Sequence, residues 1–249
     1  MTDRPILFSA PMIRALMEGR KTQTRRIVMT GAEIARGPFE LVRFRSGDVA
    51  GWQVGLRKFN NWKSLKVRYQ TGDRLWVREA WRVGAMNDDK APSEMIPRHM
   101  TTLYEAGGSQ AGDSAPPKDR PRAPADYKVD AWPPAGQMPD WAGRRRVGMH
   151  MPRWASRLTL LVSDVRVQRL QDISRDDAIA EGIERAADGT FRDYRGPHVC
   201  GGWLITPQLS FETLWGSING PKSWASNPWV VALTFSVHQQ NIDTMEKAA

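Results

Sequence analysis

A single cysteine, Cys200, in 249 residues excludes an intrachain disulfide and any thiolate-rich zinc or iron–sulfur site. Such usage suits a reducing compartment. No apolar run is long enough for a transmembrane helix, and residues 1–20 carry charge where a signal peptide needs an apolar centre. A cytoplasmic protein with no membrane partner is therefore expected. Acidic side chains are the other shortage: 27 against 36 basic ones, for a formal net charge of +9. A positive surface favours nucleic acid, nucleotides or other anions as partners and leaves the fold open. The eleven tryptophans are an excess for this length. Core packing and base stacking both use such rings. At this length the chain can bury a core as one domain with insertions or as two small ones.

The densest chemistry lies in Gly19-Arg20-Lys21-Thr22-Gln23-Thr24-Arg25-Arg26, with four cations and two hydroxyls in eight residues. Ile6, Leu7 and Phe8 before it suggest a short opening strand. Ile13, Leu16 and Met17 then repeat at helical spacing, with Pro11 suited to the first turn, Ser9 or Ala10 as cap and Gly19 as stop. The basic stretch leaves that helix as an extended segment, Lys21 to Val28. It reads either as the floor of an anion or nucleotide site or as a solvated strand edge. Strict alternation puts Lys21 and Thr24 on opposite faces, so their convergence needs a turn or bulge.

Strands are expected near Phe39–Phe44 and Val49–Leu56, with a Gly47-Asp48 turn between them and a loop at Asn60-Asn61 over which Trp62 and Leu65 pack. Val67 and Tyr69 open a further strand ending near Gly72-Asp73. The clearest strand covers 72–81, with Leu75 and Val77 on one face and Trp76 and Arg78 on the other. Glu79 is either an acid or the partner of an arginine. Residues 84–146 change character. Nine of the seventeen prolines fall between Pro92 and Pro139, and 111–125 offers nothing for a core. This reads as a long irregular insertion, with a local hairpin of 103–106 and 127–129 and a basic patch at Arg144-Arg145-Arg146.

From Arg157 to Leu170 a long strand changes parity at Ser163-Asp164, as at a bulge or a barrel corner. Ser174 with Asp177 three residues on has capping-box spacing, and Ile179, Ile183 and Gly182 delimit a short helix. Glu181 falls at its C-terminal end, where the dipole disfavours an anion. Candidate acid and exposed partner of Arg185 are both open readings for it. His198-x-Cys200 has too few ligands for a metal, so neither metal nor cofactor is expected. Thr206-Pro207 starts a helix with Phe211, Leu214 and Trp215 as its stripe, and Gly220-Pro221 turns the chain. Val231, Leu233, Phe235 and Val237 alternate as a last strand, and the tail from Gln239 should fray.

Together, the helix, the Gly-x-Lys-Thr-x-Thr-x-Arg spacing at 19–26 and Gly72-Asp73-Arg74-Leu75-Trp76-Val77-Arg78-Glu79 resemble the ASCH domain, a superfamily related to PUA RNA-binding domains. The likeness covers 5–80 and 155–237. Long versions with Thr-Gln-Thr-Arg-Arg after the lysine occur in phages and prophages, so the resemblance implies a bacterial or phage-infected host cell. It implies an α+β, mainly β fold: a PUA-like barrel with short flanking helices. The domain would be discontinuous, 1–83 with 147–240, interrupted by the 84–146 insertion and followed by a flexible tail at 241–249. One branch hydrolyses the amide of N4-acetylcytidine with a lysine, a threonine and a glutamate. Motif spacing carries these roles to Lys21 and Thr24, and the register starting at Ile173 carries the third to Glu181. Substrate or nucleic-acid contacts would fall to Arg20, Thr22, Arg25, Arg26, Trp76, Arg78, Glu79, Trp81 and Trp203. The partner is then a modified nucleoside or RNA. A non-catalytic RNA-binding module and a ribonuclease are the alternatives.

Overall fold

In the computed structural model the described residues are 2–28, 40–46, 49–56, 61–65, 67–96, 100–110, 140–196 and 202–245, with only the backbone described at 40–65. The strands in chain order are β1 (Asp3–Leu7), β2 (Gln23–Ile27), β3 (Glu40–Ser46), β4 (Val49–Leu56), β5 (Asn61–Leu65), β6 (Arg74–Arg78), β7 (Trp81–Arg82), β8 (Thr102–Tyr104), β9 (Ser109–Gln110), β10 (Thr159–Arg169), β11 (Phe191–Arg192), β12 (Trp203–Leu204) and β13 (Trp229–His238). The helices are α1 (Ala10–Met17), α2 (Arg175–Ala180) and α3 (Pro207–Asn219). The fold is thus mixed, mostly sheet with few helices, and among the described residues no sheet closes on itself. No helix among them is long and apolar enough to cross a membrane.

Two compact units share the chain: unit one is Gly19–Asp73 with Val162–Ser236, and unit two is Thr2–Glu18 with Arg74–Leu161 and Val237–Ala249. Strands β10 and β13 each run from one unit into the other.

In unit one, β13 lies between β10 and β2, pairing antiparallel with β2 from Val230↔Ile27 to Thr234↔Gln23. A strand flanked on both sides and covered on both faces loses the apolar/polar alternation of a half-exposed one. Val230, Val231, Ala232 and Leu233 are accordingly all buried, and alternation survives only from Thr234 onward. The parity change in β10 shows as two successive exposed residues, Ser163 and Asp164, between buried Val162 and buried Val167. Strands β3, β4 and β5 form an antiparallel meander, so Asn61 opens a strand where a loop was expected. Residues 67–70 are not strand; Gln70 closes a turn by donating its backbone N–H to Asp73. Residues 191–192 and 203–204 pair as a short ladder where only loop was expected.

In unit two, β6 lies between parallel β1 and the first three residues of β10. Leu75, Trp76 and Val77 are all buried, for the same two-sided reason. Helix α1 buries Met12, Ile13, Ala15 and Leu16, while Met17 lies at the edge of the stripe, 36% exposed. Ser9 occupies the N-cap position without a side-chain capping bond. Strand β8 pairs with β7 and β9, so the hairpin partner of Leu103 is Ser109. The other expected partner, 127–129, lies outside the described residues, as do 111–125, the Gly47-Asp48 turn, Asn60 and His198-x-Cys200; side-chain packing of Trp62 and Leu65 lies outside them too.

The C-terminal stretch does not fray at Gln239. Ile242 is fully buried, Asn241 Nδ2 donates to the carbonyls of Arg153, Trp154 and Ser156, and the Arg74 guanidinium reaches the carbonyls of Ile242 and Met245. Residues 241–245 are therefore anchored, because the chain can satisfy its backbone carbonyls on buried cations. Arg74 also makes a two-pronged pair with Asp3, at 2.8 Å for both bonds, and Arg153 joins Asp3 to Asp243.

Candidate functional site

Helix α2 builds one wall of the site. Ser174 caps it by accepting the Asp177 N–H at 3.1 Å, which fixes where the first turn begins. Asp177 and Glu181 then stand four residues apart on one helical face. The helix ends at Glu181, the C-cap residue, and Gly182 follows at φ +87°, a conformation that L side chains rarely adopt. Strand β2 builds the other wall. The Thr22 N–H donates to the Ala180 carbonyl at 2.9 Å, and Lys21 and Glu181 form an isolated antiparallel bridge. Odd-numbered residues of this segment share a face, and Lys21, Gln23 and Arg25 all reach α2.

Lys21 Nζ donates to Glu181 Oε2 at 2.9 Å and to the Glu181 carbonyl at 2.7 Å. Both residues are buried, at 2% and 4% exposure. Arg25 holds the other carboxylate oxygen: Nη1 donates to Glu181 Oε1 at 3.0 Å, while Nη2 donates to Asp177 Oδ2 at 2.9 Å. Gln23 Oε1 accepts from Arg25 and Gln23 Nε2 donates to Asp177 Oδ1 at 2.9 Å, where Arg166 Nη2 also binds. Phe211 of α3 stacks on the Arg25 guanidinium at 5.7 Å. Two carboxylates thus meet three cations in a largely dry cluster.

Burial is the main influence on Lys21 and drives its pKa below the ordinary lysine value. Glu181 opposes this by charge and hydrogen bond, and the positive charges of Arg26 and Arg25 add to the depression. Asp177 is pushed up by burial as the largest single influence. The bonds from Arg166 and Gln23 and the charge of Arg25 together outweigh it and hold the carboxyl below its ordinary range. Arg26 is half-buried and its pKa is lowered, again chiefly by desolvation.

Thr24 is buried and pairs in register with Leu233, one residue out of phase with Gln23 and Arg25, so it leaves β2 on the opposite face. Among the described residues no hydrogen bond joins it to Lys21 or Glu181. Arg20 Nη1 donates to the Gly182 carbonyl at 2.7 Å, Thr22 is exposed, and Trp203 is 49% exposed in β12. Arg25, expected at the substrate, is spent on internal carboxylates. The other expected contacts belong to unit two. Trp81 is fully buried in a cluster with Val83, Met100, Tyr104 and Met151, so it has no free face for a base. Trp76 is 6% exposed with the Arg78 guanidinium 4.3 Å above its ring. Glu79 makes a two-pronged pair with Arg157, at 2.8 and 3.0 Å, and burial raises its pKa. Arg144, Arg145 and Arg146 do not act as one patch: Arg145 pairs with Glu105, and Arg146 is buried and donates to the Asn87 carbonyl.

Sequence reasoning did not single out Gln23, Arg166 or the second carboxylate, Asp177, as site residues. The signal for them was present. An acid pair at i, i+4 on a short capped helix demands cationic partners if that face is buried. Among the described residues no group of three His, Cys, Asp or Glu is placed to hold a metal ion. No protein-family model, no curated protein and no solved structure matches the chain.

Proposed function

We propose that this chain is a divergent ASCH-type, PUA-like protein that hydrolyses the amide of an N4-acylated cytidine, with the Lys21–Glu181 pair as its reacting centre. The observation that carries the reading is that pair: a buried amine with a lowered pKa, 2.9 Å from a buried carboxylate, inside the motif whose spacing resembles the amidohydrolases. Burying an ion pair is a poor way to gain stability, because desolvation offsets most of the attraction. A lysine whose pKa is lowered by burial is instead what a general base requires.

In this reading neutral Lys21 takes a proton from water as the hydroxide oxygen adds to the acetyl carbonyl carbon. The tetrahedral adduct collapses, the carbon–nitrogen bond breaks, and the Lys21 ammonium returns the proton to the departing cytidine amine. The acyl carbon departs as acetic acid, which ionises to acetate, and Lys21 is neutral again. Glu181 orients the amine and stabilises its charged form. Thr24 leaves β2 on the face opposite Lys21 and enters through the motif resemblance alone, so its variants test that resemblance separately. The nucleic-acid-binding alternative needs cations facing outward, whereas Lys21 and Arg25 are buried on carboxylates.

The test is incubation of the purified chain with N4-acetylcytidine, following cytidine by chromatography. K21M and E181Q should lose about 100-fold or more of the rate. A similar loss in T24A, partly recovered in T24S, would bring Thr24 into the reaction, and an unchanged rate would leave it to packing. Absence of turnover by the intact chain, together with salt-dependent RNA binding, would replace this reading with the binding one.

A further inference from the structure

Unit one contains a second candidate site, a cavity of about 450 Å³ beside α3, which none of Lys21, Thr24 and Glu181 lines. That volume lies in the range of small-ligand pockets. Its walls are largely apolar: Leu204, Leu209, Pro221 and Trp224, with Gly216 in the middle of the helix. A Cβ built at Gly216 would meet nothing within 4 Å, so the open volume lies directly over a helix-interior glycine. Glycine is the poorest helix former after proline, and its place here leaves the space clear.

Trp224 is fixed as one wall. Its ring stands edge-on to Phe211 at 6.2 Å, and its carbonyl accepts from Gln171 Nε2 at 3.0 Å and from the Asn227 N–H.

The polar groups at the cavity decide what it would take. Thr213 Oγ1 is spent on the Ser210 carbonyl and the Tyr194 N–H, and Ser217 Oγ on the Leu214 carbonyl. The Arg195 guanidinium is neutralised by Asp193, with bonds of 3.0 and 2.9 Å from Nε. Glu212 remains, half-buried on the cavity face of α3, its carboxylate accepting no hydrogen bond among the described residues. With Asp193 set against Arg195, Glu212 leaves this mouth one negative charge among the described residues, in a protein of net charge +9.

An aromatic wall beside a carboxylate that no hydrogen bond holds, although Arg195 across the mouth feels its charge, is the arrangement that recognises an organic cation with an apolar body. We propose that the α3 cavity binds a small amphipathic amine, its apolar part against Trp224 and over Gly216, its ammonium on Glu212.

The proposal is tested with the full chain and three probes of one shape: 2-phenylethylamine, 2-phenylethanol and 3-phenylpropionate. Binding is followed by calorimetry and by the Trp224 indole N–H resonance, assigned with W224F. The amine should bind about tenfold or more tighter than the neutral and anionic probes. E212Q should remove that preference, and G216L should fill the cavity and abolish binding of all three. G216A, which adds one methyl group in open space, should keep the site and serves as the folding control. Failure of the amine to bind, equal binding of the three probes, or full amine affinity in either E212Q or G216L would overturn the assignment. None of these outcomes depends on whether the chain hydrolyses N4-acetylcytidine.

Discussion

Arg25 and Glu181 are joined through Nη1 and Oε1 at 3.0 Å, and the guanidinium that makes this bond also grips Asp177 one helical turn earlier. The arginine therefore fixes both the position and the rotation of the carboxylate, leaving Oε2 turned to Lys21. Removing it while keeping its bulk, in R25M, takes from two carboxylates the cation they share. The expected loss is about 3–5 kcal/mol of unfolding free energy, read by chemical denaturation. The double variant R25M/D177L should recover part of that loss. No recovery would mean that the Arg25–Asp177 contact is incidental.

Lys21 should titrate below 10.5, the ordinary lysine value. The sign follows from linkage. Between its depressed pKa and 10.5 the unfolded chain holds a proton that the folded chain has released, so stability rises with pH across that window. Below the depressed value both states are charged, and the folded one keeps the desolvation penalty. Any hydrolysis should gain rate as pH rises through that depressed value and level off above it. Glu181 raises the Lys21 pKa, so E181Q should move the Lys21 titration to lower pH, as read from its Nζ-attached carbon resonance. A shift to higher pH would show that Glu181 does not govern the amine.

Ser174→Ala removes the bond that starts α2. It should cost about 0.5–2 kcal/mol in stability. Asp177 and Glu181 both hang from this short helix, so the variant should also lower the rate while leaving all three expected catalytic side chains unchanged. Ser174→Asp, which restores a capping acceptor, should rescue both. Rescue of stability without rate would separate the helix from the chemistry.

Ile242 tests the anchoring of the C-terminal stretch. It is fully buried in unit two, so I242A should cost about 2–5 kcal/mol. Thermal unfolding measures this directly. A change near zero would mean that residues 241–245 are not held in solution.

What could be read in the sequence was mostly what is local. Ser174, Asp177 and Gly182 marked the ends of α2 because capping is a matter of three or four neighbouring residues. The stripe of α3 and the parity change in β10 were legible for the same reason. The two-sided burial of β6 and β13 was not, since alternation reports only one covered face. Lys21 and Glu181 lie 160 residues apart. Nothing in either segment names the other, and only the motif resemblance suggested their pairing. Arg25 and Trp81 show the limit from the other side. Residue type marks both as ligand contacts, whereas burial puts one on internal carboxylates and the other in a core. The tail after Gln239 looked frayed because its anchors, Arg74 and Arg153, are remote in sequence.

The way the two units interleave has a practical consequence for anyone wishing to dissect the molecule. The chain passes from one unit to the other inside β10 and again inside β13. A gene for either unit alone would have to be spliced from separated exon-like pieces, with ends falling in the middle of a strand. Limited truncation from either terminus cannot deliver an intact half, and domain-swap libraries would need junctions outside 159–169 and 229–238.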